Sequence, residues 1–373
     1  MRMSRRIAAS LTLACAALCM VAVLASPAEA YDKEDVIIAI ETGRTGAYEL
    51  ATRLLTEAIE SGELPTHIES MAYNARGMFW LERGHSENAL PDFDMAIELM
   101  PNDPEAYYNR GALFSLEGEE ALAAADFEHA ATGYFDRGNL QYDRGDFDKA
   151  IDDYSRALAL NPGDADSFYH RGLAFKKSGQ YDAAVEDFRM VLQINPGDPE
   201  AHNGLGGVHM AQNQPELALA AYDMALELEP EYVDAHFNRG LANMKLGDFE
   251  EAVADFTRTL RLDPEDVVAY LNRGDCYLLS GDSTRAFRDY DKAVELYPEY
   301  ATSYNTRGKA FLAAGDYENA SADFQQAIVL NPDFKEAYFN MGTTLYEMGD
   351  LEAAEEFFER AQQLELSQGE SES

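Results

Sequence analysis

The amino-acid sequence predicts an all-α fold, a solenoid built from about ten helical hairpins. Nine glycines recur along the chain at intervals of 34 residues, except for one interval of 27. When each glycine is counted as position 8 of a repeat, position 20 is always alanine and position 24 is always aromatic. A fixed period of this length indicates stacked copies of one supersecondary unit. The nine glycines are Gly77, Gly111, Gly138, Gly172, Gly206, Gly240, Gly274, Gly308 and Gly342.

The pattern inside one repeat predicts two helices and a turn. Helix A covers positions 2–14, a glycine such as Gly145 or Gly247 makes the turn, and helix B covers positions 17–29. Proline stands at position 32 in seven repeats and ends helix B, because proline disfavours helix in the residue before it and cannot continue one. A single hairpin cannot bury its own apolar face, so neighbouring hairpins must stack to form the core.

These marks resemble those of the tetratricopeptide repeat (TPR) family, and the resemblance is strong over residues 70–366. Residues 32–65 resemble a degenerate first repeat, with Ala39 in place of the glycine, Gly46 in the turn and Ala51 at position 20. The resemblance implies an α-solenoid in the form of a right-handed superhelix. It also implies a non-enzymatic scaffold that binds other proteins.

One junction breaks the regular spacing. Repeat three ends at Ala130 and repeat four begins at Ala131, so the end of helix B and its loop are missing. We expect Thr132 and Gly133 to form a tight turn there, unless the two helices fuse. The predicted organisation is repeats one to three in residues 31–130, repeats four to ten in residues 131–366, and a disordered polar tail in residues 367–373.

Residues 1–30 have the pattern of a secretion signal. A basic start precedes the uncharged run of residues 7–25, and the small-x-small motif Ala28-Glu29-Ala30 follows. We therefore expect cleavage directly after this motif and export to a bacterial periplasm, or alternatively secretion, with no stable membrane insertion afterwards. A retained membrane anchor, a lipoprotein signal at Cys15 or Cys19 and twin-arginine export are alternatives that fit the sequence less well.

The charge of the chain excludes several classes of partner. The sequence carries 29 basic and 68 acidic residues, a net charge of −39, and loss of residues 1–30 removes three arginines and one glutamate to give −41. Such a chain repels nucleic acid phosphates and anionic membrane surfaces. Cys276 is the one cysteine outside residues 1–30. We expect it to be an inert buried thiol, with no disulfide framework or cysteine-based metal site.

Positions 7 and 23 vary together in all ten units. Seven repeats have arginine at position 7 and aspartate at position 23, whereas Leu205 occurs with Ala221 and Met341 with Phe357. The simplest cause is contact between helix A and helix B, with the arginine fork paired to the carboxylate. We expect these pairs to be structural, because seven copies of one catalytic pair have no plausible use. The pairs are Arg76 with Asp92, Arg110 with Asp126, Arg137 with Asp153, Arg171 with Asp187, Arg239 with Asp255, Arg273 with Asp289, and Arg307 with Asp323.

The sequence shows no recognisable catalytic, cofactor-binding or metal-binding constellation. Seven histidines are scattered along the chain, and His202 and His209 lack the spacing of a metalloprotease motif. A phosphate-binding glycine loop, a nucleophile elbow and a calcium loop are also missing from the sequence. The chain is therefore predicted not to be an enzyme and to need no cofactor or metal.

In the TPR family helix A lines the concave side, which implies that positions 2, 5, 9, 12 and 13 face a groove. These positions carry aromatic and apolar residues, amides and four lysines, which suit a peptide, although some of them could pack against the preceding repeat instead. The lysine and asparagine clamp for a chaperone's C-terminal carboxylate is incomplete, because position 2 carries no lysine in any of the nine repeats that have the glycine. We expect binding of a protein or peptide; the alternatives are self-assembly through the ends of the stack and an accessory subunit of an envelope enzyme or secretion complex. The candidate groove residues are Tyr108, Phe135, Tyr169, Lys176, Lys177, Asn203, Phe237, Met244, Lys245, Asn305 and Lys309.

Overall fold

The computed structural model describes residues 33–371, with side chains described through residue 367. The expected signal segment, residues 1–30, lies outside these residues. The described chain contains helices and no strands, which confirms the predicted all-α hairpin architecture, and none of its helices is both long and apolar enough to span a membrane. In chain order the helices are α1 Lys33–Arg44, α2 Tyr48–Glu60, α3 Thr66–Glu82, α4 Ser86–Leu99, α5 Pro104–Glu117, α6 Glu120–Asp143, α7 Phe147–Leu160, α8 Ala165–Lys177, α9 Tyr181–Ile194, α10 Pro199–Ala211, α11 Pro215–Leu228, α12 Val233–Leu246, α13 Phe249–Leu262, α14 Val267–Leu279, α15 Ser283–Leu296, α16 Ala301–Ala313, α17 Tyr317–Leu330, α18 Lys335–Met348 and α19 Leu351–Ser371.

The described residues separate into two compact units, residues 33–178 and residues 179–371. The boundary falls between α8 and α9, which are the two helices predicted for repeat five. It does not coincide with the irregular junction near residue 130, because one helix continues through that junction. Within each unit, every helix packs against the next one along the chain.

The irregular junction is spanned by α6, which runs without a break from Glu120 to Asp143. The expected tight turn at Thr132 and Gly133 is therefore wrong, and the two helices fuse. The missing segment is the part of the repeat that carries the helix-ending proline. Without it, backbone hydrogen bonding continues from helix B of repeat three into helix A of repeat four. The Thr132 hydroxyl donates to the carbonyl oxygen of Glu128 at 3.1 Å, a contact within one continuous helix.

The last helix also ends later than the sequence predicts. We expected a disordered polar tail from residue 367, but α19 continues to Ser371. Repeat ten lacks the proline that closes helix B in seven other repeats. Because no proline follows, the backbone can extend the helix past the last apolar position.

Packing within each hairpin depends on the glycine at position 8. In repeat four a Cβ atom on Gly138 would lie 2.7 Å from Cε1 of Tyr154, which is too close for a side chain. The aromatic ring at position 24 therefore occupies the space that the glycine leaves open. The turn after helix A needs glycine for a different reason, because Gly145 has a φ of +81°, a left-handed conformation that other residues adopt only with strain.

Candidate interaction surface

The A helices of successive repeats contact each other within each unit. In the second unit these contacts join α10 with α12, α12 with α14, α14 with α16, and α16 with α18. Over the described part of either unit, successive B helices make no comparable contact. The A helices therefore form the closer-packed row. We call the surface formed by positions 5, 9, 12 and 13 of these helices the A face.

Aromatic residues at position 5 belong partly to the core. Four of them pack against the aromatic ring at position 24 of their own repeat, and the candidate residues among these are half-buried, so part of each ring stays accessible. Rings that are already held in place lose little conformational freedom when a ligand binds. The ring centroids are 5.9 Å apart for Tyr108 and Phe127, 5.8 Å for Phe135 and Tyr154, 5.7 Å for Phe237 and Phe256, and 5.4 Å for Phe339 and Phe358.

Asparagines at position 5 have a different environment from the one expected. The side-chain amide of Asn340 donates to Oδ1 of Asn305 at 2.9 Å, and Asn305 is only 6% exposed. Asn238 donates in the same way to Asn203 at 3.0 Å. These candidate groove residues therefore join the A helices of successive repeats, and little of Asn305 is available to a ligand.

The asparagine contact was missed by sequence reasoning, although the sequence contains a signal for it. Asn74 accepts from Asn109 at 2.9 Å, so all three asparagines at position 5 have an asparagine partner 35 residues later. Asn272 also stands at position 6, but Phe237 precedes it by 35 residues. Its amide donates instead to the carbonyl oxygen of Val268 at 2.8 Å. The amides that resemble part of a carboxylate clamp are thus mostly occupied within the protein.

The other candidate residues of the first unit lie on α8. Tyr169 and Lys176 are half-buried, and Lys177 is exposed. Burial, together with the charge of Lys177, lowers the pKa of Lys176. Partial burial removes water from the ammonium group of Lys176 and thereby disfavours its charged form.

The other candidate residues of the second unit combine an apolar side chain with two cations. Met244 is half-buried against the core cluster that contains Phe256. Lys245 and Lys309 are exposed, and neither forms a salt bridge with any residue that the structure describes. Acidic residues outnumber basic ones by 68 to 29 in this chain, so two exposed lysines without a salt bridge on the same helical row are unusual. The charge of Lys309 still acts on the partly buried carboxyl group of Asp275 and lowers its pKa.

Six of the seven predicted arginine–aspartate pairs lie inside one unit, and the structure brings both members of each together. In repeat nine, Nε and Nη2 of Arg307 donate to the two carboxylate oxygens of Asp323, each at 2.8 Å. The hydrogen bonds that Arg239 donates to Asp255 raise the pKa of Arg239 against the opposing effect of burial. Arg171 belongs to the first unit and Asp187 to the second, so that pair stays a prediction. The shortest contacts are 2.7 Å for Arg76 and Asp92, 2.8 Å for Arg110 and Asp126, 2.6 Å for Arg137 and Asp153, 2.7 Å for Arg239 and Asp255, and 2.7 Å for Arg273 and Asp289.

The arginines also reach a third helix, which the sequence reasoning did not anticipate. Nη1 of Arg307 donates to Asp291 in helix B of the preceding repeat at 2.7 Å, and Nη1 of Arg239 donates to Asp223 at 2.6 Å. In repeat eight the acceptor is the hydroxyl of Thr257, at 3.1 Å from Arg273. Each of these arginines therefore connects helix A of its own repeat both to helix B of the same repeat and to helix B of the preceding repeat.

The fused helix changes this arrangement at the irregular junction. Glu105 at the start of α5 accepts hydrogen bonds from Arg137 at 3.3 Å, from Arg156 at 2.7 Å and from the hydroxyl of Tyr134 at 3.0 Å. One carboxylate thus replaces the usual acceptor of the preceding helix B. These residues are structural, because their polar atoms point at each other.

Two polar groups are neighbours on α14. Cys276 is fully buried, and burial raises the pKa of its thiol to about 12, so the thiolate nucleophile is disfavoured. Its neighbour Asp275 accepts a hydrogen bond from the hydroxyl of Tyr290 at 2.6 Å. Among the residues that the structure describes, no group of three histidine, cysteine, aspartate or glutamate side chains is placed to hold a metal ion.

Comparison with protein families agrees with this architecture. Five models of the tetratricopeptide repeat match the chain, and together they cover most of residues 135–367. This chain is a tetratricopeptide repeat protein. Tetratricopeptide repeat proteins are generally non-enzymatic modules that bind proteins or peptides. The matched segments are residues 135–199, 205–273, 267–300, 308–349 and 335–367.

Several solved structures are similar to this chain, and two of them are described as tetratricopeptide repeat proteins. One from Parabacteroides merdae is 21% identical, with 74% of this chain and 98% of that chain covered and a TM-score of 0.47. The pilF protein of Pseudomonas aeruginosa is 22% identical, with 57% and 96% covered and a TM-score of 0.49. A thermophilic protein of Thermus thermophilus is 24% identical, with 49% and 99% covered and a TM-score of 0.42. No curated protein sequence matches this chain.

Proposed function

We propose that this tetratricopeptide repeat protein is a non-enzymatic scaffold, exported to the cell envelope, that binds an extended segment of a partner protein on its A face. The observation that carries the proposal is the composition of that face in the second unit. Phe237 and Met244 are half-buried there, and Leu279 is 60% exposed. Lys245 and Lys309 lie on the same row of helices and are exposed, and neither forms a salt bridge with a described residue.

The two parts of this surface would contribute differently to binding. Aromatic and apolar anchors that are already packed on one side usually supply most of the binding free energy. Exposed charges mainly raise the association rate and set its salt dependence. The two lysines are local positive charges on a strongly acidic chain. At their own position they favour a ligand segment that carries a carboxylate beside apolar side chains.

Export is supported by the pattern of residues 1–30, which combines a basic start, an apolar run and a small-x-small motif. A protein in the periplasm would meet its partners in the cell envelope. The interaction experiment should therefore be made in cells that express the full chain of 373 residues.

Site-specific crosslinking tests the A face directly. A photoreactive phenylalanine analogue would replace Leu279 on α14, and in a matched control it would replace the exposed Glu251 on the B helix α13. Crosslinks to another protein from position 279 and none from position 251 support the proposal. Crosslinks from position 251 alone would place the functional surface on the B helices instead.

Self-assembly is a second candidate, and the last hairpin supplies an observation in its favour. Met348 is 53% exposed, Leu351 is 61% exposed and Leu366 is 64% exposed, and all three lie at the end of the repeat array. Light scattering of the purified protein separates the two candidates, because it measures the molar mass. Self-assembly predicts oligomers of the isolated chain, whereas binding of another protein alone predicts a monomer. Crosslinks from position 279 to a second copy of this chain would favour self-assembly.

A further inference from the structure

Tyr222 on α11 carries a hydroxyl group without a partner in an otherwise buried side chain. The residue is 1% exposed, and its hydroxyl makes no hydrogen bond with any residue that the structure describes. Burial raises the pKa of this hydroxyl, so it remains a neutral donor. Among the described residues, Oγ of Ser303 is the one fully enclosed side-chain polar atom without a partner, so the Tyr222 hydroxyl keeps some access to solvent. A partner from outside the chain can therefore reach it.

Two equivalent tyrosines show where this hydroxyl is directed. Position 24 is tyrosine in three repeats, and the other two have partners at position 9 of their own helix A. Tyr154 donates to Oδ1 of Asn139 at 2.8 Å, and Tyr290 donates to Oδ1 of Asp275 at 2.6 Å. In repeat six, position 9 is Gly207. The acceptor that the other two repeats supply is therefore missing.

The rings of Tyr154, Tyr222 and Tyr290 are seated in the same way against the glycine at position 8 of their repeats. A Cβ atom on the glycine at position 8 would lie 2.7 Å from Cε1 of Tyr154, 2.6 Å from Cε1 of Tyr290 and 2.4 Å from Cε1 of Tyr222. The hydroxyl of Tyr222 therefore points towards the backbone of Gly207, where no side chain stands. In the six repeats with phenylalanine at position 24, there is no hydroxyl to satisfy.

Position 9 belongs to the A face, so the missing side chain leaves a notch in that surface. Gly207 is half-buried, and Met210 packs beside the ring of Tyr222 in the same cluster. Glycine allows the backbone of another chain to approach more closely than any other residue. The Tyr222 hydroxyl at the base of this notch can donate a hydrogen bond, and the absence of a side chain at Gly207 leaves room for a main-chain carbonyl oxygen to reach it.

The geometry points to a ligand subsite at Gly207 and Tyr222, in which the Tyr222 hydroxyl donates to a main-chain carbonyl oxygen of a bound peptide segment. This inference rests on the proposed binding of an extended segment to the A face, and it names one point of contact within that surface. The subsite would help to fix the register of the segment, because only one carbonyl oxygen can occupy the notch.

Two substitutions test the subsite with the purified chain from residue 31 onwards. The probes are twelve-residue peptides selected from a random library for binding to the wild-type protein. Tyr222→Phe removes the donor and should lower the affinity for these peptides about three- to tenfold, the range expected for one neutral hydrogen bond. Gly207→Asn copies Asn139 of repeat four. The new side chain fills the notch and accepts the hydrogen bond of the Tyr222 hydroxyl. It should raise the melting temperature and weaken the same peptides at least as much.

The matched control is Tyr290→Phe, which removes a hydroxyl that already has an internal partner. It should lower the melting temperature and leave peptide affinity unchanged. If peptides bind the A face but Tyr222→Phe and Gly207→Asn leave their affinity unchanged, the notch holds a water molecule and the subsite is refuted. If no selected peptide is weakened by substitutions anywhere on the A face, the proposed function fails, and this subsite fails with it.

Discussion

Arg307 donates from Nε and Nη2 to both carboxylate oxygens of Asp323, with each distance 2.8 Å. The two residues stand on α16 and α17, so this side-on pair closes the hairpin of repeat nine across its two helices. Both carboxylate oxygens are engaged, which gives the pair a defined geometry as well as attraction. The arginine is partly accessible at its outer edge and donates there to Asp291 of the preceding repeat.

The first prediction concerns this pair. Arg307→Leu leaves the buried carboxylate of Asp323 without its partner and should lower the free energy of unfolding by about 3 kcal/mol, the lower end of the range for broken buried pairs. Arg307→Leu with Asp323→Ala copies Leu205 and Ala221 of repeat six and should recover much of that loss. Urea unfolding of the wild type, both single variants and the double variant measures the coupling. Additive losses would show that the two residues are not energetic partners.

The contact to the preceding repeat provides a graded comparison. Asp291 is largely exposed, with 63% of its side chain accessible, and Nη1 of Arg307 lies 2.7 Å from it. An exposed ion pair contributes little, so Asp291→Ala should cost no more than about 1 kcal/mol. The same urea titration applies. A loss as large as that of Arg307→Leu would contradict this ranking of the buried and exposed contacts.

The second prediction is a pH dependence at Asp275. Burial raises the pKa of this carboxyl above 3.8, despite the opposing effects of the hydrogen bond from Tyr290 and of the positive charge of Lys309. An acid whose pKa is raised on folding binds its proton more tightly in the folded state. Its contribution to stability is therefore complete below the unfolded pKa and is lost as the pH rises through the folded pKa.

Asp275→Asn copies Asn139, the uncharged partner of Tyr154 in repeat four. The variant should be more stable than the wild type at pH 7, and this advantage should disappear as the pH falls towards 3.8, the ordinary pKa of the carboxyl. Thermal unfolding of both proteins at several pH values gives the difference directly, and effects of other acidic groups cancel in it. A difference that stays constant with pH would mean that Asp275 does not titrate differently on folding.

The third prediction concerns the fused helix α6. Thr132→Pro removes a backbone donor in the middle of a continuous helix and should cost about 3 kcal/mol or more. Thr132→Ala is the matched control and should be nearly neutral, because alanine favours helix and the lost hydroxyl contact is at the surface. Urea unfolding followed by circular dichroism gives the free energy of unfolding of both variants. If proline is tolerated as well as alanine, the chain turns at this position after all.

The fourth prediction concerns the lysines of the A face. Lys245→Glu with Lys309→Glu should reduce crosslinking of the partner from position 279, and the reduction should be strongest at low salt because salt screens exposed charges. Arg261→Glu with Arg288→Glu makes the same change in net charge on the exposed side of B helices. An equal effect of both double variants would indicate general repulsion and no local role of the lysines.

The fifth prediction concerns residues 1–30, which the structure does not describe. Cleavage after the motif Ala28-Glu29-Ala30 should give a mature protein that begins at Tyr31. The mass of the intact protein purified from a periplasmic fraction checks the position of the cut. A mass that retains these residues, or that carries lipid at Cys15 or Cys19, would rule out ordinary signal cleavage.

The hairpins and the pairing of positions 7 and 23 could be predicted from the sequence because both are repeated. Each contact between helix A and helix B recurs many times at the same spacing, so a change such as Leu205 with Ala221 reveals which positions touch. The A face could be predicted in outline for the same reason. Its individual residues could not, because whether Phe237 faces a ligand or Asn305 faces a neighbour depends on the next repeat.

Three features were decided by the tertiary structure. The fusion of α6 depends on whether Thr132 and Gly133 turn or continue the helix, and local propensity alone leaves both open. The contact of Arg307 with Asp291 requires the distance between successive hairpins. The unpartnered hydroxyl of Tyr222 becomes visible only when every neighbouring acceptor has been placed. A sequence period reports contacts that every repeat makes, whereas the fate of one polar atom depends on the whole set of neighbours that packing brings around it.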